Sequence, residues 1–217
     1  MFGVLFFYFY RMNTSGKLKE ILEIHLPKSA LSYCIALWTE TPFSFSVKKP
    51  RASKLGDFRY RKDQKIQTIT INADLNPYQF LLTYIHEVSH LRTFQKFGIH
   101  HSPHGKEWKK SFQDLMLPLL SEEFIPKDLL IPLKLHLKNP AASSARDLFL
   151  MKEMSKYDSK EKIQTAIFLS DLAPGSIFQV AGRKFKKGET RRTRVLCEEI
   201  NSGKKYLISR LAKVTLD

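Results

Sequence analysis

The sequence predicts an α+β protein in which helices and a short sheet come first and a small, basic β module follows. Apolar residues recur at helical spacing in several segments before residue 139, whereas alternating residues and turn formers dominate from residue 165 onward. The 217 residues suffice for a medium-sized domain with an appendage. Because 43% of them are apolar, a globular chain is favoured over a disordered one.

The apolar run at residues 2–10 is predicted to lie outside the folded domain. It is shorter than the about 20 residues that cross a bilayer, and it has neither a basic residue before it nor a small-residue cleavage site after it. Residues 1–15 are interpreted as an apolar N-terminal extension. Met12 follows the apolar run almost at once, so we interpret it as the native start and the start at Met1 as misassigned. The alternative is a short hydrophobic anchor that holds the protein at a membrane surface without stable insertion.

Two helices are predicted ahead of the first strands. Residues 17–25 have helical apolar spacing, and Pro27 ends that helix. Ser29 belongs to the residue types that cap helices, and it predicts a second helix that runs through Leu37 or Trp38.

A short sheet is predicted next. Residues 43–47 and 66–71 alternate between apolar and polar side chains with period two, which is typical of strands. Residues 54–60 between them are predicted to hold a turn or a third strand.

The longest predicted helix opens at Asn76 and Pro77, because proline fits the first turn of a helix. Its broad apolar face extends to about Lys96, and Gly98 stops it. A loop rich in histidine and proline follows at residues 99–105.

The elements after this loop are shorter. Helices are predicted at residues 106–117 and 126–138. Residues 140–164 are predicted to form a linker that contains a helix over 146–157. The β module takes residues 165–217, with strands at 176–180, 191–197 and 205–208 and turns at 174–175, 187–188 and 201–203.

Residues 86–90, with the sequence His-Glu-Val-Ser-His, form an H-E-x-x-H pattern inside the longest predicted helix. Residues four apart lie on one face of a helix, so the two imidazoles can hold one Zn2+. Glu87 points beside that metal, where it can take a proton from a water that the metal activates for attack on a peptide carbonyl. Ile85 and Val88 put the motif next to a core, which favours a metal site over a solvated surface helix.

A catalytic zinc needs a third protein ligand besides His86 and His90 and keeps one position open. The downstream candidates are His100, His101 and His104. His104 comes just before a predicted helix, where a side chain can point back to the first one. His100 and His101 lie in the loop, where one of them could contact the substrate or stabilise an oxyanion. Geometry expected from the sequence leaves the choice among the three open.

The predicted domain at residues 16–139 resembles the SprT-like zinc metalloproteases of the bacterial SprT and Spartan type. The resemblance covers roughly residues 17–120, and its elements come in the family's order. They lie at residues 54–59, 69–72, 86–90, 94–98 and 103–108.

This resemblance implies a zincin-like metalloprotease fold with one Zn2+ per chain, held by His86, His90 and His104. It also implies that Glu87 is the general base and that Trp108 packs behind the site. The substrates would be proteins, with proteins bound or crosslinked to DNA as a class to test.

One departure from the family concerns cysteine. SprT proteins commonly end in a zinc ribbon with four cysteines, whereas this chain has only Cys34 and Cys197. Both are predicted to pack as small apolar residues, and their number makes a reducing, cytoplasmic setting the default expectation. The basic β module stands where the ribbon would be.

The net charge of +15 is concentrated in two runs. Residues 48–65 hold eight basic and two acidic side chains, and residues 181–217 hold eleven and four. Clustered cations favour contact with the phosphate backbone of nucleic acid, without sequence-specific reading. The residues predicted to make this contact are Lys54, Arg59, Arg61, Lys184, Lys186, Lys187, Arg191, Arg192 and Arg194.

Two aromatic residues of the β module, Phe185 and Tyr206, lie among these cations. They either stack on bases or belong to the core of the module. The charge also supports a second class of function, a nucleic-acid-binding protein whose zinc site is structural or catalytically idle.

Overall fold

The computed structural model describes residues 16–51, 53–142, 147–159 and 167–216, so the predicted extension at residues 1–15 lies outside the described residues. The chain divides into two compact units between residues 142 and 143. Within the described ranges, no helix combines the length and the apolar character needed to cross a membrane. The predicted domain boundaries at residues 139 and 165 stay predictions.

The first unit contains five helices and three strands among its described residues. The helices are α1 at residues 16–25, α2 at Leu31–Glu40, α3 at Pro77–Phe97, α4 at Lys106–Met116 and α5 at Lys127–Lys138. The strands are β1 at Ser44–Lys48, β2 at Gly56–Arg59 and β3 at Thr68–Asn72. The mixture of helix and sheet confirms the α+β class.

The three strands form a mixed sheet in the order β1-β3-β2. β1 runs parallel to β3, and β2 runs antiparallel to it at the edge, which identifies the segment predicted as a turn or strand as a strand. Ile69 and Ile71 of β3 are fully buried, and α3 contacts both β3 and β2. The sheet therefore presents β2 next to the helix that carries the H-E-x-x-H pattern.

Helix α3 begins and ends where the sequence predicts. The Asn76 side chain accepts a hydrogen bond of 3.0 Å from the Gln79 N–H, and Pro77 occupies the first turn. Gly98 ends the helix with a φ of 66°, a left-handed conformation that glycine adopts without steric cost.

The predicted capping role of Ser29 is wrong. Residues Lys28–Ala30 form a 3₁₀ turn that continues directly into α2, and no side chain caps α2. The Leu31 N–H, which a Ser29 cap could have bonded, donates instead to the Lys28 carbonyl, so the backbone itself satisfies this donor.

The second unit is a small β structure preceded by one helix. The helix α6 spans Leu148–Ser155 and is capped by Asp147, whose side chain accepts from the Leu150 N–H. Six strands follow in the spatial order β4-β9-β5-β6-β7-β8, all paired antiparallel. They are β4 at Ile167–Phe168, β5 at Ile177–Val180, β6 at Arg183–Thr190, β7 at Arg194–Glu199, β8 at Lys205–Ser209 and β9 at Lys213–Leu216.

The predicted turn at residues 187–188 is wrong, because β6 runs through it. The register between β6 and β7 shifts between Lys187 and Thr190, which marks a bulge in a continuous strand. Gly188 is needed there for a different reason: a Cβ at this position would lie 2.7 Å from the Leu196 carbonyl oxygen of β7. The glycine thus permits a close approach of two strands and forms no hairpin.

The predicted strand at residues 191–197 begins too early. Residues 191–193 connect β6 to β7, and the Arg191 N–H closes the connection by donating to the Arg194 carbonyl at 2.7 Å. The module packs around fully buried Phe178, Val195 and Cys197, together with Phe185.

Candidate metal centre

Three histidine side chains from two parts of the first unit converge on one point. His86 and His90 lie one turn apart on α3, and His104 lies in the loop just before α4. The Nε2 atom of His104 is 3.1 Å from Nε2 of His86 and 2.9 Å from Nε2 of His90. Among the described residues, these three form the cluster whose geometry could hold a metal ion.

The backbone of the loop directs His104 toward α3. His104 has a φ of 59°, which is uncommon for a residue with a side chain, and Gly105 follows as the first residue outside α4. The Gly105 N–H donates to the Ser102 carbonyl at 2.9 Å and closes the turn. The loop is therefore held in a conformation that turns the His104 ring inward.

The two other candidate ligands do not join the cluster. His100 is exposed. His101 is half-buried, and its Nδ1 atom lies 2.7 Å from the Gly98 carbonyl oxygen. Of the three candidates that the sequence left open, His104 is therefore the one that lies next to His86 and His90.

Burial keeps all three imidazoles of the cluster in the neutral form. It lowers the pKa of His86 well below its ordinary value and the pKa of His90 to about 3, and neighbouring histidines add to both effects. The pKa of His104 is lowered by burial as well. A metal binds the neutral ring, so the site presents its nitrogens in the state that ligation requires.

Trp108 of α4 forms one wall of the cluster. Its ring is fully buried, with its centroid 4.6 Å from that of His86, 5.3 Å from His90 and 4.7 Å from His104. The indole Nε1 donates to the His86 carbonyl at 3.4 Å, and the ring stacks on Phe112 at 5.0 Å. The histidines thus rest against a rigid aromatic surface.

Glu87 follows the first histidine and contacts strand β2. It is 5% exposed, and the Phe58 N–H of β2 donates to its carboxyl group. A Cβ on Gly56 would lie 2.5 Å from Glu87 Oε1 and 2.7 Å from Thr83 Cγ2, so a larger residue at position 56 would collide with Glu87. β2 therefore bounds the space that this carboxyl group occupies.

The protonation of Glu87 reflects opposing influences. Burial raises its pKa to about 8, and the Asp57 charge acts in the same direction. The Phe58 N–H, Arg51 and Lys54 lower the pKa because each stabilises the carboxylate. Three neutral nitrogen donors beside such a carboxyl group match the ligand and base set of a catalytic zinc site with one open position.

The first basic run shares its charge with nearby carboxylates. Lys54 Nζ lies 2.9 Å from Asp57, Arg59 Nη2 lies 3.4 Å from the same carboxylate, and Arg61 pairs with Asp63 at 2.7 Å. Their role on nucleic acid stays a prediction.

In the β module, Lys184, Lys186, Arg191, Arg192 and Arg194 are exposed, as a surface role requires. Their contact with nucleic acid also stays a prediction.

Lys187 does not fit the predicted role on nucleic acid. It is 4% exposed, and its Nζ donates to the Leu172 carbonyl at 2.5 Å and the Ser170 carbonyl at 3.4 Å. Alternation along β6 places Lys187 on the core side with Phe185, whereas Lys184 and Lys186 face outward. Its ammonium is occupied inside the module, so Lys187 is removed from the predicted interface.

The aromatic residues of the module also have internal roles. Phe185 is buried and stacks with Phe178 at 5.8 Å, which supports a core position over base stacking. The Arg183 guanidinium lies over the rings of Phe185 and Tyr206, at 5.2 and 4.5 Å from their centroids.

Sequence reasoning missed the functional context of Gly56, which lies against the Glu87 carboxyl group, and of Arg51 and Asn72, which bond to each other beside the start of β2. Gly56 lies in a stretch that resembles the family, but nothing in its local sequence signals that it contacts a carboxyl group from another element. Such contacts depend on the pairing of β2 with β3 and on the packing of α3, which local periodicity does not encode.

Comparison with protein families identifies the region that contains the cluster. Residues 36–121 match the model of the SprT-like family. This stretch includes the second half of α2, the sheet, α3 and α4, with His86, Glu87, His90 and His104. Comparison of the chain with curated proteins and with solved structures finds no match.

Proposed function

We propose that residues 36–121, which belong to the SprT-like family, form a zinc-dependent metalloendopeptidase of the zincin type. The observation that carries the proposal is the convergence of three neutral imidazole nitrogens beside the buried carboxyl group of Glu87. A family of the metalloprotease type accounts for both the histidine cluster and the Glu87 carboxyl group, because metal-assisted hydrolysis of a peptide bond uses a metal site with a base next to it.

The donor set fits zinc. His86, His90 and His104 would hold the ion, since Zn2+ prefers nitrogen ligands and three protein ligands leave a position for substrate and water. When bound, zinc lowers the pKa of water and polarises the carbonyl of the scissile bond.

Glu87 supplies the proton chemistry. Its carboxylate accepts a proton from the water whose oxygen attacks the carbonyl carbon. As the C–N bond breaks, the protonated Glu87 gives this proton to the leaving amine, so the base is regenerated. Burial raises the pKa of Glu87 to about 8, and the Phe58 N–H, Arg51 and Lys54 counteract that rise and so increase the share of the ionised form that the first step needs.

The test is a comparison of Glu87→Gln with Glu20→Gln, an exposed residue of α1. Both variants should bind as much zinc as the unaltered chain. Cleavage of an unfolded test protein should fall about 100- to 10,000-fold in Glu87→Gln, because the base is lost, and stay unchanged in Glu20→Gln. Full activity of Glu87→Gln would exclude Glu87 as the base.

A second proposal concerns the β module, which we infer binds nucleic acid through its outer face. The strand register puts Lys186 of β6, Glu198 of β7 and Lys205 of β8 side by side, with Lys184 on the same face. These lysines are exposed, and Glu198 is the acidic residue between them. A face with this excess of cations suits a phosphate backbone.

The salt dependence of binding tests this second proposal. Affinity of the full chain for a single- or double-stranded oligonucleotide should fall steeply between 50 and 200 mM salt, because binding releases counterions. Lys184→Gln combined with Lys186→Gln should reduce both the affinity and the slope, whereas binding insensitive to salt would contradict the proposal. Binding that persists while no cleavage of any protein is found would favour the alternative of a nucleic-acid-binding protein with an idle zinc site.

A further inference from the structure

A polar cluster lies at the end of β3 and is built on the side chain of Asn72, which is 2% exposed. The Asn72 Nδ2 donates to the carbonyls of Arg51 and Lys54 at 3.2 and 2.8 Å. Its Oδ1 accepts from Arg51 Nε at 2.7 Å, and Arg51 Nη1 donates to Thr70 Oγ1 at 3.1 Å. We call these three residues, Arg51, Thr70 and Asn72, the Asn72 cluster.

The backbone around this cluster ties down the connection between β1 and β2. The Asn72 N–H donates to the Leu55 carbonyl at 2.9 Å, and the Ala73 N–H donates to the Lys48 carbonyl at 2.9 Å. With the two bonds from the Asn72 side chain, the connection is held at its start, near its middle and at its end. Gly56 comes next in the chain, so the bonds to the cluster determine where β2 begins.

The start of β2 is the part of the strand that meets Glu87. There is no room for a Cβ at position 56, because it would collide with Glu87 Oε1. The Phe58 N–H donates to the same carboxyl group. A small displacement of β2 would therefore either push on Glu87 or remove its hydrogen bond. The position of the carboxyl group depends on bonds made by residues that do not touch it.

The Arg51 side chain is anchored within the cluster. Two of its nitrogens are bonded within the cluster, but Nη2 is buried and has no hydrogen-bond partner among the described residues. The guanidinium charge also acts favourably on the Glu87 carboxylate.

We propose that Arg51 and Asn72 are positioning residues that hold β2, and through it Glu87, in the geometry for catalysis. This inference rests on the proposed function, because it assigns a purpose to the placement of the base. Neither residue touches the histidine cluster, so zinc binding is independent of them.

Three variants of the full chain test the role of Arg51. Arg51→Gln should lower kcat for a peptide substrate about 10- to 100-fold with KM and zinc content unchanged, because a displaced base slows the chemical step. Arg51→Lys keeps the charge and a donor and should recover part of kcat. Lys49→Gln removes a charge from the same connection, but its side chain is exposed, and it should behave as the unaltered chain.

A second measurement does not depend on activity. Hydrogen exchange of the backbone amides over residues 53–60 of the metal-free chain should become faster in Arg51→Gln. It should also become faster in Asn72→Asp, which preserves the shape of the side chain but loses the two N–H bonds to the Arg51 and Lys54 carbonyls. Exchange over the same residues should not change in Lys49→Gln.

The outcomes separate this inference from the proposed function. If the unaltered chain cleaves and binds zinc while Arg51→Gln retains its kcat and its amide protection, the positioning role is wrong. Equal losses in Arg51→Gln and Arg51→Lys, accompanied by loss of zinc, would also overturn it, since they indicate a folding defect. If the unaltered chain cleaves nothing while both variants lose amide protection, the anchoring of β2 by Arg51 and Asn72 stands, whereas the proposed function and the catalytic purpose of that anchoring fail.

Discussion

Glu87 and Lys187 are buried ionisable side chains, one in each unit, and their hydrogen bonds differ. Glu87 is 5% exposed and Lys187 is 4% exposed. Lys187 donates to two backbone carbonyls of its own module, whereas Glu87 receives the Phe58 N–H and lies beside the histidine cluster. The lysine holds the module together, and the carboxyl group lies where we propose that it transfers protons.

This difference shows that burial by itself does not mark a functional charge. Lys187 belongs by sequence to a basic run and looks like a surface cation, yet its ammonium links β6 to the segment at Leu169–Asp171 and to Leu172. The role proposed for Glu87 depends on its surroundings: a strand leaves it little space, and the adjacent residue, His86, belongs to the cluster that could hold a metal ion.

Among variants of the residues that surround the two buried groups and the histidines, the largest effect is expected from filling the space next to Glu87. Gly56→Ala places a Cβ 2.5 Å from Glu87 Oε1, so either the carboxyl group or β2 must move. We expect peptide cleavage to fall about 100-fold, with zinc content retained. Gly16→Ala is the matched control, because a Cβ at residue 16 meets nothing within 4 Å. Undiminished activity of Gly56→Ala would mean that the position of the carboxyl group is not critical.

The next largest effect is expected at Lys187, the residue of this pair that has a structural role. Lys187→Met leaves the Ser170 and Leu172 carbonyls without their donor and should destabilise the β module by about 1–3 kcal/mol. Both tryptophans lie in the first unit, so amide exchange over β6 and β7 is the suitable measurement. Lys186→Met, on the exposed face of the same strand, should change the exchange little.

Cleavage of a free peptide by Lys187→Met should equal that of the unaltered chain. A loss of catalysis without a change in amide exchange would contradict the assignment of a structural role to Lys187 and a chemical role to Glu87.

The smallest effect is expected at the wall of the metal centre. Trp108→Phe keeps an aromatic ring against the histidines but removes the long hydrogen bond to the His86 carbonyl. We expect zinc affinity to fall by no more than about tenfold, as for a group that supports a ligand. Competition with a chelator measures this affinity, and a complete loss of zinc would show that the indole does more than support His86.

The sequence predicted the elements that local signals control. Asn76, Pro77 and Gly98 define the ends of α3 because capping and proline effects act over a few residues. The pair of histidines one turn apart follows from helical geometry once α3 is recognised. His104 was different: its identity depended on the family resemblance, since the path of a loop with a left-handed residue is not encoded in periodicity.

The features that the sequence missed depend on contacts between distant segments. Gly188 looked like a turn residue but serves the close approach of β6 and β7, and the short strand β9 carries a single buried residue, Val214. The Asn72 cluster joins residues from a loop and two positions of β3, and no spacing in the sequence relates them. These are properties of strand pairing, which becomes visible only in the folded chain.

The most direct test of the central claim is a titration of the metal-free full chain with zinc, in which binding and peptide cleavage are followed together. Both should rise to a single endpoint at one zinc per chain, and the same titration of His104→Ala should show neither tight binding nor activity. The contrary result would be cleavage by the metal-free chain, or an unchanged endpoint in His104→Ala. Either would show that the three converging histidines are not the centre of the activity.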